Sequence, residues 1–311
     1  ALYMFVFIPE FGPRGIWISV FTSVSAFCNA GIDIIAENSL CNYATNALVN
    51  IVTSFLIILG GLGYIVWWDV IRVLKSRTSK NRKIFRHLTL HSKIALTATL
   101  CLIFVGAIMI FAFEYSNPLT IGNMSLFDKI QVSIFQSITT RTAGFASVPQ
   151  ENLTNASALV SLLLMLVGGS PVGTAGGIKT VTVAVLLCSA FATIKNKKSA
   201  TLFGRCLSED SVKKAVAVTV MFLSICSLSA LILMATSDAS ALDVIYETVS
   251  ATATVGLSRN MTARLNIIGK LKMISTMYFG RVGPISLAVA LGRRSQNQNI
   301  IANPTEEISI G

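Results

Sequence analysis

Residues 139–147 read TTRTAGFAS, and two other stretches echo them: SAFCNAGID at 25–33 and SATATVGLS at 250–258. Their central glycines, Gly31, Gly144 and Gly256, lie 113 and 112 residues apart (31 to 144, 144 to 256). Two nearly equal intervals make a repeat. Each motif closes a moderately apolar stretch, at 14–28, 126–141 and 241–253, that is too short to cross a bilayer. Between them lie runs near or above the roughly 20 residues that a span needs, at 44–71, 94–113, 215–236 and 273–292. A longer run, 156–194, has a break inside it, and residues 1–8 (ALYMFVFI) read as the tail of a further span. The repeating unit is therefore span, half-helix, glycine loop, span.

Composition agrees. Of 311 residues, 53% are hydrophobic and 13% charged, against about 25% charged in soluble domains. A water-soluble enzyme would lack polar surface, and disorder is excluded by the same numbers. An outer-membrane barrel needs short alternating segments, whereas these runs are unbroken. The net charge of +11 is concentrated in short connections. Residues 72–93 carry Arg72, Lys75, Arg77, Lys80, Arg82, Lys83, Arg86 and Lys93 without an acid, and 195–214 are also basic. The positive-inside rule places both in the cytoplasm, with Trp67 and Trp68 as an interfacial belt; nucleic acid is not an expected partner, and membrane lipid is. Six cysteines show no paired spacing, and His87 and His91 belong with the basic stretch rather than with a metal.

A half-helix followed by a glycine loop at membrane depth must be buried or line a water-filled path. The inward C-terminal end of such a helix carries partial negative charge and favours a cation. The loop carbonyls can replace the water of a potassium ion, and glycine gives the backbone conformations that a Cβ forbids. The expected ion-binding positions are Cys28, Asn29, Ala30 and Gly31; Arg141, Thr142, Ala143 and Gly144; and Ala253, Thr254, Val255 and Gly256. Arg141 would oppose a cation if aimed at it. Its side chain is expected to point away and brace the loop on backbone or on a carboxylate, among them Glu114, Asp128 and Glu247. Three loops leave a fourfold ring incomplete, so a fourth comes from a missing N-terminal quarter or from a partner.

As one helix, residues 156–194 would extend about 58 Å, too long for one span. GGSPVGTAGG at 168–177 holds five glycines and a proline and is expected to break the run into two helices joined by an intramembrane loop. Gly168, Gly169, Gly173, Gly176, Gly177 and Lys179 are assigned to a gate below the loops. Arg281, inside an apolar run, joins them: a mid-span arginine is costly and marks function.

The motifs SAFCNAGI, FQSITTRTAGF (135–145), GGSPVGTAGGIKT (168–180), ETVSATATVGLS (247–258) and YFGRVGP (278–284) together resemble the Trk/Ktr/HKT superfamily of potassium transporters, and most the bacterial Ktr-type membrane subunit. LFGRCLSEDSVKKA (202–215) and the closing PTEEISIG (304–311) resemble it too, which suggests that Gly311 is the natural C-terminus. The resemblance implies an all-α integral membrane fold of pore-loop repeats around a pseudo-fourfold ion pore, with three of four repeats present. The units are 1–86 with a truncated opening span, 87–204 with the broken span, and 205–311. It further implies potassium uptake at a plasma membrane, a homodimer with one pore per subunit, and a cytosolic nucleotide-binding (RCK-type) ring. Sodium is a second candidate ion, since serine at the first filter position admits it in some relatives. Cys28 stands where asparagine is common. The alternative is a secondary transporter of a small organic solute, built on broken midplane helices. A membrane-embedded enzyme lacks any paired catalytic set.

Overall fold

The computed structural model describes residues 1–36, 38–75, 84–197 and 199–283. Pro284, the second half of the run 273–292 and PTEEISIG lie outside the described residues, as do Arg77, Lys80, Arg82, Lys83 and Lys198 of the basic stretches. Described in chain order, the helices are α1 (Met4–Phe11), α2 (Arg14–Phe27), α3 (Ala47–Leu62), α4 (Tyr64–Lys75), α5 (Ile84–His87), α6 (Leu90–Glu114) and α7 (Leu126–Thr139). Then follow α8 (Asn155–Leu166), α9 (Thr180–Ile194), α10 (Glu209–Thr236), α11 (Ala241–Thr252) and α12 (Ile267–Val282). A small two-stranded ribbon, Thr201–Leu202 against Arg205–Cys206, joins α9 to α10.

The two helices α6 and α10 are each long and apolar enough to cross a membrane. The short helices α2, α7 and α11 each run into one of the glycine motifs. Two of them start alike. Ser125 accepts a hydrogen bond from the Asp128 amide and Ser240 one from the Asp243 amide, while each serine hydroxyl donates to the same aspartate's carboxylate. The cap satisfies an orphan amide, and the acid complements the positive helix end. The negative ends, by contrast, lie among buried residues: Thr139, Thr252 and Ala253 are all inaccessible.

One expected span needs correcting. The run 44–71 is not continuous: α3 and α4 meet at 92°. The bend falls at Gly63, which takes φ +78°, and a Cβ there would sit 2.7 Å from the Pro171 carbonyl. Unbroken hydropathy hid this, because the bend is made by backbone and by the glycine-rich loop packed beneath it.

Polarity is distributed inside out. Phe55, Leu100, Phe104, Leu231 and Ile274 face outward, whereas Thr53, Ser133, Ser137, Ser229 and Thr276 are buried. The buried hydroxyls join helices: Tyr3 with Thr53 (2.7 Å), Ser229 with Thr276 (2.9 Å), and Ser137 donating to the Ile103 carbonyl (2.9 Å). In lipid there is no hydrophobic drive between helices, so small residues and such bonds hold them together. Gly106 shows how close the approach is, since a Cβ there would lie 2.4 Å from Ser137 Oγ. Apolar clusters fill the rest, one around Phe7, Ile18, Val49 and Phe145, another around Met165, Phe222 and Tyr246.

At the end of α6 the buried carboxylate of Glu114 receives the Thr154 amide (2.9 Å) and hydroxyl (2.8 Å), the Thr120 hydroxyl and the Asn117 amide. It thus docks the start of α8. Glu114→Gln leaves at least one buried donor without an acceptor, which costs about 1–3 kcal/mol. A lowered melting temperature in detergent is the expected result.

Candidate ion-conduction site

The three glycine motifs have the same backbone. Asn29, Thr142 and Thr254 sit at φ +49°, +69° and +55°, and two residues later Gly31, Gly144 and Gly256 sit at +65°, +92° and +96°. Each turn is tied back to its own helix: Ala30 N to Ser25 O, Ala143 N to Thr139 O, and Val255 N to Ser250 O, all 2.8–2.9 Å. A left-handed threonine is an outlier that costs about 1–3 kcal/mol and persists only where its surroundings impose it. Two of them recur at the same place in the repeat.

These turns are neighbours. A Cβ on Gly31 would lie 2.4 Å from the Ala143 carbonyl and 2.7 Å from Gly144 Cα. One on Gly144 would lie 2.3 Å from the Val255 carbonyl and 3.1 Å from Gly31 Cα. The order is loop 1, loop 2, loop 3, with Gly144 in the middle and buried, whereas Ala30 and Gly256 at the two flanks are exposed. Between the flanks opens a cavity of about 440 Å³, lined by Cys28, Asn29 and Ala30 on one side, Thr254 to Ser258 on the other, and Arg281. A second bowl, of about 300 Å³, is lined by all three glycines together with Asp33 and Glu151. Those two acids give it cation-attracting character. Burial, helped by the nearby Glu151 and Asp33 carboxylates, pushes the Cys41 thiol in this bowl up to about 11.

The glycine-rich stretch breaks its helix as expected: α8 stops at Leu166 and α9 starts at Thr180. The loop between them is pinned through main-chain atoms. Gly168 N donates to Ile178 O (2.9 Å), Ile178 N to Leu166 O (3.1 Å), and Thr180 N to Gly169 O (3.0 Å). It docks on the α3–α4 bend through Ser170 N to Gly61 O (2.9 Å) and Thr174 N to Gly60 O (3.2 Å). It also touches the end of each short helix. Thr174 Oγ1 donates to Phe27 O (3.1 Å) and Gly176 N to Thr142 Oγ1 (2.9 Å), while a Cβ on Gly176 would fall 2.2 Å from Ala253 O. Lys179 Nζ folds back onto Ala175 O, and Arg281 Nη1 donates to Thr174 O (3.2 Å) from the edge of the larger cavity.

Arg141 does not face the turn. It is buried and donates to Gly168 O (3.1 Å) and Thr99 Oγ1 (3.5 Å), so its brace is backbone and a hydroxyl. Glu114 is occupied by Thr154 and Thr120, Asp128 by its own cap, and Glu247 accepts from Ser258 (2.8 Å) and Thr262. Composition and motif spacing missed the partners of the loop, Gly60, Gly61 and Gly63, although GGLG at 60–63 was a legible signal. They also missed the roles of Gln150 and Tyr246, which carry no motif, and of Gln136, which sits inside FQSITTRTAGF but was given no part.

A family model described as TrkH, cation transport protein, matches residues 7–300. The chain is 38% identical to the potassium/sodium uptake protein NtpJ of Enterococcus hirae, over 98% of this chain and 67% of that one. It is 37% identical to the Ktr system potassium uptake protein B of Bacillus subtilis, over 98% of this chain and 66% of that one. Among solved structures, the potassium transporter TrkH from Vibrio parahaemolyticus superposes with a TM-score of 0.72 at 15% identity, covering 93% of this chain and 68% of the other. The chain spans about two thirds of the length of these proteins.

Proposed function

The chain belongs to the TrkH family of cation transport proteins, and on that premise we propose that it forms the ion path of a potassium-uptake system, as its membrane subunit. The family is one of transporters, not enzymes, and this member is a multi-pass helical membrane protein. The observation that carries the reading is the set of three similar left-handed turns, each following a short helix and packed backbone to backbone on its neighbour. Residues 28–31, 141–144 and 253–256 form the filter, in which main-chain oxygens take the place of the ion's water. The helix ends add negative potential. The units 1–86, 87–204 and 205–311 are consecutive repeats, and the 440 Å³ opening between loops 3 and 1 is the place of a fourth. Potassium is the principal ion and sodium a second, in keeping with the potassium/sodium name of the Enterococcus relative.

The loop 168–177 is the gate, since it lies against all three short-helix ends and is held by Arg281. The membrane potential supplies about 2.3 kcal/mol per charge per 100 mV for inward movement. The basic stretches face the cytoplasm of the plasma membrane, where they offer a docking surface for an RCK-type ring, and the membrane subunit works as a homodimer. A relative named as part of a "Ktr system" supports an assembly of several components. Family membership weighs against an organic-solute carrier.

Rubidium tracer flux into liposomes holding the complete protein tests the reading: uptake that potassium competes away is expected, and its absence overturns the proposal. In the same assay Arg281→Ala removes both a positive charge and a tie to Thr174. Flux is expected to rise about fivefold or more, the size of an ordinary coupling energy.

A further inference from the structure

Behind the filter lies a buried polar network that contains none of the proposed filter residues. Its node is Gln150, on the segment returning from loop 2. The Gln150 and Gln136 amides pair reciprocally, with Gln136 Nε2 donating to Gln150 Oε1 (2.6 Å) and Gln150 Nε2 to Gln136 Oε1 (3.3 Å). Gln150 Nε2 also donates to Val148 O (2.7 Å), and Tyr246 OH donates to Gln150 Oε1 (3.0 Å). The main chain joins in: Gln150 O accepts from Arg259 Nη1 (3.1 Å), and Arg259 Nε donates to Asp243 (2.7 Å). Gln136 and Tyr246 are fully buried and Gln150 is 3% exposed.

The placement matters more than the number of bonds. Gln136 is in the last turn of α7, six residues before Thr142; Tyr246 and Asp243 are on α11; Arg259 is on the exit from loop 3. The network therefore cross-links the helix and return segment of loop 2 to the helix and exit of loop 3. Those two loops meet backbone to backbone at Gly144 and Val255, as loops 1 and 2 do at Gly31 and Ala143. Buried polar networks that are fully satisfied are rigid. Gln150 has every amide group engaged, so the spacing of the two loops cannot drift without breaking a bond in an apolar surround.

From this geometry we infer that Gln136, Gln150 and Tyr246 are specificity-determining positioning residues, which hold loops 2 and 3 at the separation that fits a potassium ion and rejects a smaller sodium ion. The inference rests on the filter reading above. It goes further in assigning ion discrimination to side chains that never touch the ion.

Two variants of the complete protein test it. Tyr246→Phe removes one hydroxyl with almost no change of shape. The triple variant Gln136→Leu, Gln150→Leu, Tyr246→Phe replaces the three side-chain partners together by apolar groups, which spares stability except at the Val148 carbonyl, left without its donor. Two readouts are taken: the ratio of rubidium to sodium flux in liposomes, and the difference in melting temperature between potassium chloride and sodium chloride. The expected result is a rubidium-to-sodium ratio lowered about fivefold, equivalent to about 1 kcal/mol, together with a smaller salt-dependent difference in melting temperature. An unchanged ratio and an unchanged salt difference in both variants overturn the inference; if the triple variant does not fold, Tyr246→Phe alone decides. Absence of rubidium flux in the unmodified protein overturns the transport reading instead, and the potassium-against-sodium melting difference then decides this one.

Discussion

Gly144→Ala is expected to abolish the proposed potassium uptake while the protein still assembles. The added methyl group meets the Val255 carbonyl at 2.3 Å and Gly31 Cα at 3.1 Å, and the backbone is held at φ +92°. All three features are main chain, so no flexible side chain can give way. Loops 1 and 3 must part, or loop 2 must abandon its left-handed turn. Either displaces carbonyl oxygens by a sizeable fraction of an ångström from where an ion would be coordinated. A loss of rubidium flux of about two orders of magnitude or more is expected, corresponding to about 3 kcal/mol. Gly204→Ala is the control. It imposes the same left-handed strain at φ +75°, with nothing within 4 Å, in the ribbon before α10. It should leave flux near that of the unmodified protein. Equal losses in both variants would remove the filter from the explanation.

The second large effect is expected at the glycine-rich loop. Deleting residues 170–175 removes the amides of Ser170 and Thr174 from Gly61 and Gly60, the Thr174 hydroxyl from Phe27, and the acceptors of Arg281 and Lys179. What remains is too short to lie beneath the three helix ends. Rubidium flux is expected to rise about 5- to 150-fold, the range of energies that couple a switch to its site. Flux as tightly controlled as before would show that the loop is a passive break in the helix.

Much of this architecture was written in the sequence because it depends on residue classes at fixed spacing. Three glycine motifs at intervals of 113 and 112 residues placed the three short helices to within two residues of α2, α7 and α11. The proline and five glycines placed the break between α8 and α9. The bend at Gly63 escaped hydropathy because α3 and α4 are both apolar. It follows from how closely Pro171 approaches, which is a tertiary fact. Arg141 was expected to find either backbone or a carboxylate, and spacing could not choose. The answer, Gly168 O, required knowing that the glycine-rich loop passes beside loop 2. Gln150 was illegible for a different reason. A lone glutamine has no periodicity, and only burial with both amide groups engaged distinguishes it.

The loop 168–177 carries one more implication. Its attachments to Leu166, Gly169, Gly60, Gly61 and Ile178 are peptide groups bonding peptide groups. Side chains of Thr174, Arg141 and Arg281 add to these rungs, but the peptide bonds themselves have no rotamers by which to loosen by degrees. Releasing one rung strains the next, so the segment unzips as a unit or stays shut. Single-molecule records of this protein should accordingly show abrupt switching between two levels, with dwell times altered by substitutions in the loop and the levels themselves unchanged.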